Sequence, residues 1–263
     1  MHSVMRLTLP LVFLLAGCGN KPAQTHALES VQVPVPASPE WSPHRLANIA
    51  RLEEDGFQVS RSLPEGFDGR PRPTREVAAR LMALKALFLR TVLPGEGLPD
   101  AKLQAYMDRN GLMDALTPSE LAVWTTPRSV VAAQYGDSIG WKLENIWALA
   151  WVLGYDSDLS YFGGMVGPEQ IDPIFREFTP EFGDGSLDAW VPELKPRSEP
   201  ELVTTEDLFY CAHNAVRSAQ LGHATVPKGF HPIGDGGTVH ERRHVLTWAL
   251  SPGVAWDDTD LST

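Results

Sequence analysis

Residues 129–153, SVVAAQYGDSIGWKLENIWALAWVL, make up the longest apolar segment of the chain. Trp147 and Trp151 are four residues apart in it, so in a helix they lie on the same face. Aliphatic side chains flank them at Ile146, Leu149, Ala150 and Leu153. We therefore expect a helix that exposes little of its surface and lies at the centre of the fold, with both tryptophans in the core. A ligand slot lined by the tryptophans is the alternative.

Further helices are predicted on both sides of this segment. Thr74 precedes apolar residues that recur every three or four positions over 75–93, the pattern of an amphipathic helix. Capping residues, first-turn prolines and closing glycines predict five more helices. The predicted helices run over 43–55, 100–110 and 118–124, from Thr204 or Thr205 to Leu221, and over 239–250. Glycine and proline break up 154–200 and 228–237, and only 57–60 resembles a strand. The prediction is an all-α fold, with one multi-helix domain over 42–263.

The first residues predict export. Arg6 precedes an apolar run over 7–16, which has the length of a signal peptide and is too short to span a bilayer. Leu15-Ala16-Gly17-Cys18 resembles the lipobox of bacterial lipoproteins, in which the cysteine thiol accepts the lipid. We therefore expect a signal peptide over 1–17 and lipidation of Cys18. Cleavage at an ordinary small-residue site is the alternative.

Proline recurs in residues 18–41, where little could fold, so this segment is predicted to be a lipid anchor and extended tether. Two or more acyl chains, such as palmitate, would hold the protein stably on its membrane. Gly19 rather than Asp follows the cysteine. In a Gram-negative host we expect a cell-envelope protein on the outer membrane, facing the periplasm.

The formal net charge is −11, and removal of a signal that contains Arg6 makes the mature chain more negative. Binding to nucleic acid is disfavoured, because phosphate recognition needs clustered Lys and Arg. An acidic surface suits a cationic protein partner, although plain solubility explains the same charge.

The chain has two cysteines, which limits the thiol chemistry that it can perform. With Cys18 acylated, Cys211 is the remaining cysteine, so no intramolecular disulfide can form. Cys211 lies in an apolar helical stretch, where a buried and unreactive thiol is expected. His213 is two residues away and would point to another face of the helix.

An ordered set of residues over 44–260 resembles an uncharacterised bacterial family, domain of unknown function family 4272. The set comprises Leu63-Pro64, Thr74 to Ala78, Glu144, Trp147, Trp151, Leu153-Gly154, Leu208, His213, Ala215, Val216, Arg217, Ala219, Val239, Glu241-Arg242, Leu246, Trp248, Trp256-Asp257-Asp258 and Asp260. The resemblance implies a helical fold. It carries no known reaction, so it transfers no catalytic residue.

Charged and aromatic residues are concentrated near the end of the chain. We expect a structural polar cluster made of His213, Arg217, Glu241, Arg242, Trp248, Trp256, Asp257 and Asp258. In this interpretation Arg217 and Arg242 pair with Asp257, Asp258 or Glu241 and pin the C-terminal segment to the last two helices. Such pairs serve specificity more than net stability. The alternative is that the same residues form a functional site.

His240-Glu241-Arg242-Arg243-His244 spells the zinc motif H-E-x-x-H on a predicted helix. Two histidines four apart could bind zinc, with Glu241 as general base. Two arginines between them would repel a dication, and Thr247 and Leu250 occupy the positions of the metzincin glycine and third histidine. We therefore expect no metal and no cofactor at this motif.

The leading hypothesis is a membrane-anchored, non-enzymatic binding module with a protein partner, such as a cationic toxin that it neutralises. A zinc-dependent hydrolase that uses His240, Glu241 and His244 is the alternative from a different class. A carrier that binds a small ligand in its tryptophan-rich core is a third reading.

Lipidation can be tested directly. Cys18→Ser should leave the precursor uncleaved after residue 17 and without lipid, because the acyl-accepting thiol is gone. Metabolic labelling with a palmitate analogue and mass spectrometry of the N-terminus measure both effects. Recovery from wild-type cells of a soluble mature protein that begins elsewhere would contradict the prediction.

Overall fold

A computed structural model describes residues 41–65, 69–93, 95–162 and 164–263. The predicted signal peptide, Cys18 and the tether up to residue 40 lie outside these residues. Within them the chain is all-helical, as predicted, and no residue forms a β-strand. The helices are α1 (Pro43–Glu54), α2 (Thr74–Val92), α3 (Asp100–Arg109), α4 (Pro118–Thr125), α5 (Arg128–Gly140), α6 (Lys142–Val152), α7 (Pro168–Pro173), α8 (Leu187–Trp190), α9 (Glu199–Gln220) and α10 (Gly234–Ala249).

Shorter turns complete the architecture. A π-helical turn, Ile174–Phe178, continues α7, and single 3₁₀ turns form at Met113–Ala115, Val191–Glu193 and Trp256–Asp258. None of the helices in the described part of the chain is long and apolar enough to cross a membrane.

Helix α6 lies at the centre of the fold, as its composition predicts. Every residue from Glu144 to Val152 is buried, including Trp147 and Trp151. One side of α6 packs against α2 and the other against α10; α9 then packs on α10, and α1 packs on α9. The layers therefore follow the order α2, α6, α10, α9, α1.

Several helix boundaries follow from the caps predicted in the sequence. The Ser42 hydroxyl accepts a hydrogen bond from the Arg45 amide, with Pro43 in the first turn. At α4, Thr117 and Glu120 form the predicted capping box: Thr117 Oγ1 accepts from the Glu120 amide, and Glu120 Oε2 accepts from the Thr117 amide. These caps satisfy amides that have no partner within their helices.

Four predictions of local structure are wrong, and two of them concern helix boundaries. The helix expected over 129–153 divides at Gly140, where Trp141 ends α5 and begins α6. Helix α9 begins at Glu199, not after Thr204 or Thr205, because the Glu201 carboxylate accepts from the amide and hydroxyl of Ser198.

The other two errors concern a loop and a strand. The Gly-Asp-Gly-Gly sequence, expected in a loop, is the first turn of α10. Glycine is needed at both Gly236 and Gly237. A Cβ atom on Gly236 would lie 2.5 Å from the Val216 side chain, and a Cβ atom on Gly237 would lie 2.5 Å from the Trp141 ring. The segment 57–60 forms no strand. Its backbone hydrogen bonds are single contacts: the Phe57 amide donates to Leu52, the Gln58 amide donates to Thr225, and Ser60 accepts from the Leu63 amide.

Helix α2 carries cations into the core. Lys85 is only 1 % exposed, and its ammonium donates to Thr179 Oγ1 at 2.9 Å and to the Pro180 carbonyl at 2.8 Å. Burial lowers the pKa of Lys85 to about 8. The ammonium thus fixes the 179–180 segment against α2 at a desolvation cost.

This pKa predicts a pH dependence of stability. Between pH 8 and 10.5 the unfolded chain holds a proton on Lys85 that the folded chain has released, so this residue's contribution to the free energy of unfolding rises with pH. Lys85→Met removes the titration. From pH 7.5 to 10 the denaturant midpoint of the wild type should therefore rise relative to that of Lys85→Met. A pH-independent difference would contradict the prediction.

Candidate functional site

The predicted cluster residues divide into a buried and an exposed group. His213, Arg242, Trp248 and Trp256 are buried, Glu241 is half-buried, and Arg217, Asp257 and Asp258 are exposed. The exposed Arg217 donates to Gln220 Oε1 at 2.6 Å, on its own helix. Glu241 accepts from Asn145 Nδ2 at 2.9 Å, through both its carboxylate and its backbone carbonyl.

The partners predicted for Arg242 are wrong. Arg242 faces α6, where its Nε donates to Glu144 Oε2 at 2.8 Å and Nη2 lies 2.7 Å from the same oxygen. It also donates to the carbonyls of Ser160 and Gly164. Glu144 is fully buried, and its other oxygen accepts from the Val166 amide at 2.7 Å. This pair therefore joins α6 and α10 to the backbone of Ser160, Gly164 and Val166.

The C-terminal segment does fold back over α10, but other residues hold it. The Arg72 guanidinium donates to the carbonyls of Ser251 at 2.5 Å and Val254 at 2.8 Å. Arg243 donates to the carbonyl of Leu261 at 2.9 Å and of Ser262 at 3.3 Å. Neither arginine is among the residues predicted from the sequence to hold this segment, and the carbonyls that they contact lie at least 18 residues away along the chain.

Trp256 anchors the middle of this segment. Its ring lies 4.3 Å from the ring of His244 and 5.2 Å from that of Trp248, measured between centroids. The guanidinium of Arg80 lies over its face at 4.0 Å, as that of Arg72 does over Trp248 at 4.1 Å. Each tryptophan therefore has a cation–π contact in addition to its apolar packing.

A cavity of about 620 Å³ lies between α2, the 111–118 segment and residues 254–258; we call it the C-terminal cleft. Its buried floor contains the two arginine–tryptophan stacks. Its exposed rim carries the carboxylates of Glu76, Asp114, Asp257 and Asp258. Arg72 pairs with Glu76 at 2.8 Å, and Arg80 pairs with the buried Glu120. Within the described residues Asp114, Asp257 and Asp258 form no ion pair, so the cleft presents uncompensated negative charge.

The histidines are engaged with one another and with the chain. Arg243 Nη1 donates to His213 Nδ1 at 2.7 Å, which leaves the proton of His213 on Nε2, 3.4 Å from His240 Nδ1. His244 Nε2 donates to the Trp256 carbonyl at 2.9 Å. Burial lowers the pKa of His213 to about 3, aided by Arg243, and lowers the pKa of His240 and His244 as well. All three rings are neutral at physiological pH.

These contacts bear on the H-E-x-x-H motif. The ring centroids of His240 and His244 are 6.5 Å apart. Nδ1 of His240 is hydrogen-bonded to His213, and Nε2 of His244 is hydrogen-bonded to the Trp256 carbonyl. Across the described residues, no group of three or more His, Cys, Asp or Glu is placed to hold a metal ion. The buried position expected for Cys211 is confirmed, and burial raises the pKa of its thiol to about 12.

The pairing of Arg242 predicts a specific stability pattern. Arg242→Ala should cost about 3–5 kcal/mol, because it leaves the Glu144 carboxylate buried without its cation. The matched change Arg217→Ala, at an exposed position, should cost under about 0.5 kcal/mol. Denaturant midpoints of the full-length protein measure both.

A second comparison separates this arrangement from a C-terminal clasp. The double change Glu144→Ala with Arg242→Ala should cost far less than the sum of the two single changes, because each single change already removes the same ion pair. Deletion of residues 256–263 should add its cost independently, since the hydrogen bonds described for Arg242 all go to Glu144, Ser160 and Gly164. Strong coupling to the deletion, with none to Glu144, would contradict the assignment.

Comparison with known proteins gives one match. No similar protein was found among curated proteins or solved structures. The family model described as Domain of unknown function (DUF4272) matches residues 45–259. This range includes α1 except for its first two residues, all of α2 to α10, and the residues that line the C-terminal cleft. Since this match covers most of the chain, the protein belongs to the DUF4272 family.

Proposed function

We propose that this protein is a lipid-anchored, non-enzymatic binding module of the cell envelope, and that the C-terminal cleft takes a basic segment of a protein partner. The lipobox at Leu15 to Cys18 supports the anchoring. In a Gram-negative host the domain would face the periplasm from the outer membrane. The cleft supports the binding role.

The observation that carries the binding role is the charge distribution of the cleft. Its two cations, Arg72 and Arg80, are already paired and stacked, whereas three rim carboxylates are unpaired within the described residues. An incoming lysine or arginine therefore meets a negative potential, which speeds association and disfavours acidic partners. At about 620 Å³ the cleft lies within the range of about 300–1,000 Å³ usual for ligand pockets.

A self-protection protein that neutralises a basic toxin is one form of this function. The hydrolase alternative would instead need His240, Glu241 and His244 to bind zinc. Elemental analysis of the purified protein separates the two, because a hydrolase of this type carries zinc in stoichiometric amount.

The binding role is tested with a labelled twelve-residue peptide of lysine, arginine and glycine, and with the same peptide carrying glutamate in place of its cations. The full-length protein in neutral detergent should bind the basic peptide only. The double change Asp257→Asn and Asp258→Asn should weaken binding by about threefold or more and reduce its dependence on salt. Fluorescence anisotropy at several salt concentrations measures both.

The matched control is Asp156→Asn with Asp158→Asn. These residues are also exposed and the net charge changes equally, but they lie away from the cleft. The control should bind the peptide like the wild type. Equal weakening by both double changes would show that only the overall charge matters, and the cleft would lose its proposed role.

A further inference from the structure

A second cavity, of about 190 Å³, lies where α1, α9, α10 and the end of the chain meet. We call it the small cavity. Its polar walls include Glu206, Asp207 and Tyr210 of α9, Arg243 of α10 and Asp260 of the C-terminal segment. It shares no lining residue with the C-terminal cleft. An inference about it therefore stands apart from the function proposed above.

The donors around the small cavity are used within the protein. The Arg45 guanidinium donates to Asp207 at 2.7 Å and to the carbonyls of Leu63 and Pro64. The Arg243 guanidinium donates to His213 and to two carbonyls of the C-terminal segment, as described above. These two cations thus have little capacity left for a ligand.

The acceptors are not used to the same extent. Glu206 is 3 % exposed, and its Oε1 accepts from Thr247 at 2.9 Å and from Arg243 Nε at 3.4 Å. No group in the described ranges donates to Glu206 Oε2 or hydrogen-bonds to the Tyr210 hydroxyl. Burial raises the pKa of Glu206, although Arg243 opposes this. Oε2 keeps access to the small cavity and is not a sealed, unsatisfied atom. It is therefore free to accept a hydrogen bond from a molecule in the cavity.

Charge and size define that donor. The small cavity is lined by four carboxylates and two guanidiniums, the carboxylates being Glu65, Glu206, Asp207 and Asp260. Its wall is therefore negative on balance, which favours a cation. Its volume equals that of about six water molecules at roughly 30 Å³ each, enough for one charged group on a short alkyl stem.

We propose that the small cavity binds one alkylammonium or alkylguanidinium group, which donates N–H hydrogen bonds to Glu206 Oε2 and to the Tyr210 hydroxyl oxygen. The Tyr210 ring packs against the guanidiniums of Arg45 and Arg243, which lie 5.5 and 4.7 Å from its centroid, and its hydroxyl belongs to the wall of the small cavity. The group comes either from a free small amine or guanidine or from a lysine or arginine side chain of a partner.

The probes are methylguanidinium, propylammonium and tetramethylammonium, each titrated at constant ionic strength into the full-length protein in neutral detergent. Saturation-transfer NMR on the ligand signals measures binding. The first two probes should bind saturably. Tetramethylammonium has the same charge but no N–H donor, so it should not. Equal binding of all three would overturn the proposal, because it would show attraction to charge alone.

Variants locate the site. Glu206→Gln removes the charge in nearly the same shape and should weaken methylguanidinium binding by about tenfold or more; Tyr210→Phe should weaken it by about threefold. Asp156→Asn, on another surface, should have no effect. If Glu206→Gln does not fold, Tyr210→Phe and Asp260→Asn decide the question. Unchanged affinity in the folded variants would refute the site.

The source of the cation follows from a further measurement with the basic peptide. If the group belongs to a partner, Tyr210→Phe should weaken peptide binding as well as methylguanidinium binding. If it is a free small molecule, the peptide should bind the variant as it binds the wild type. Failure of the peptide to bind any form of the protein would count against the C-terminal cleft, and the small-cation titrations would still decide the small cavity.

Discussion

The buried pair between Glu144 and Arg242 is the constraint on which the rest of the structure depends. It lies between the central helix α6 and α10, and it also holds the backbone of Gly164 and Val166. If either charge is removed, the other is left unpaired in an interior of low dielectric constant, which is strongly unfavourable. The positions of α9 and of the C-terminal segment, which both pack on α10, follow from this anchorage.

Similar pairs recur at other junctions of the fold. Arg45 with Asp207 joins α1 to α9, Arg80 with Glu120 joins α2 to α4, and Arg243 with Glu206 joins α10 to α9. Apolar contacts between helices tolerate sliding and rotation, whereas a buried ion pair is satisfied in one register only. These pairs therefore select a single arrangement of the helices, even though each contributes little net stability.

The sequence predicted what is local. Ser42 with Pro43 and Thr117 with Glu120 fix helix starts through contacts three residues apart, and the tryptophans of α6 mark a buried helix by composition alone. The partners of Arg242 could not be found in this way, because Glu144 is 98 residues distant. Adjacent residues on a helix point about 100° apart, and this is why Arg242 reaches α6 while Arg243 reaches α9 and the chain end. The cleft depends on those tertiary contacts and was not predicted.

One continuous segment, residues 254–262, contributes to the walls of both cavities. A molecule bound in either cavity would restrain this segment, so that less conformational entropy would be lost when the other cavity is filled. Thermodynamic linkage requires the effect to be mutual, with the same free energy of coupling in both directions. If both cavities bind a partner or ligand, this shared segment would couple them without any movement of the helices.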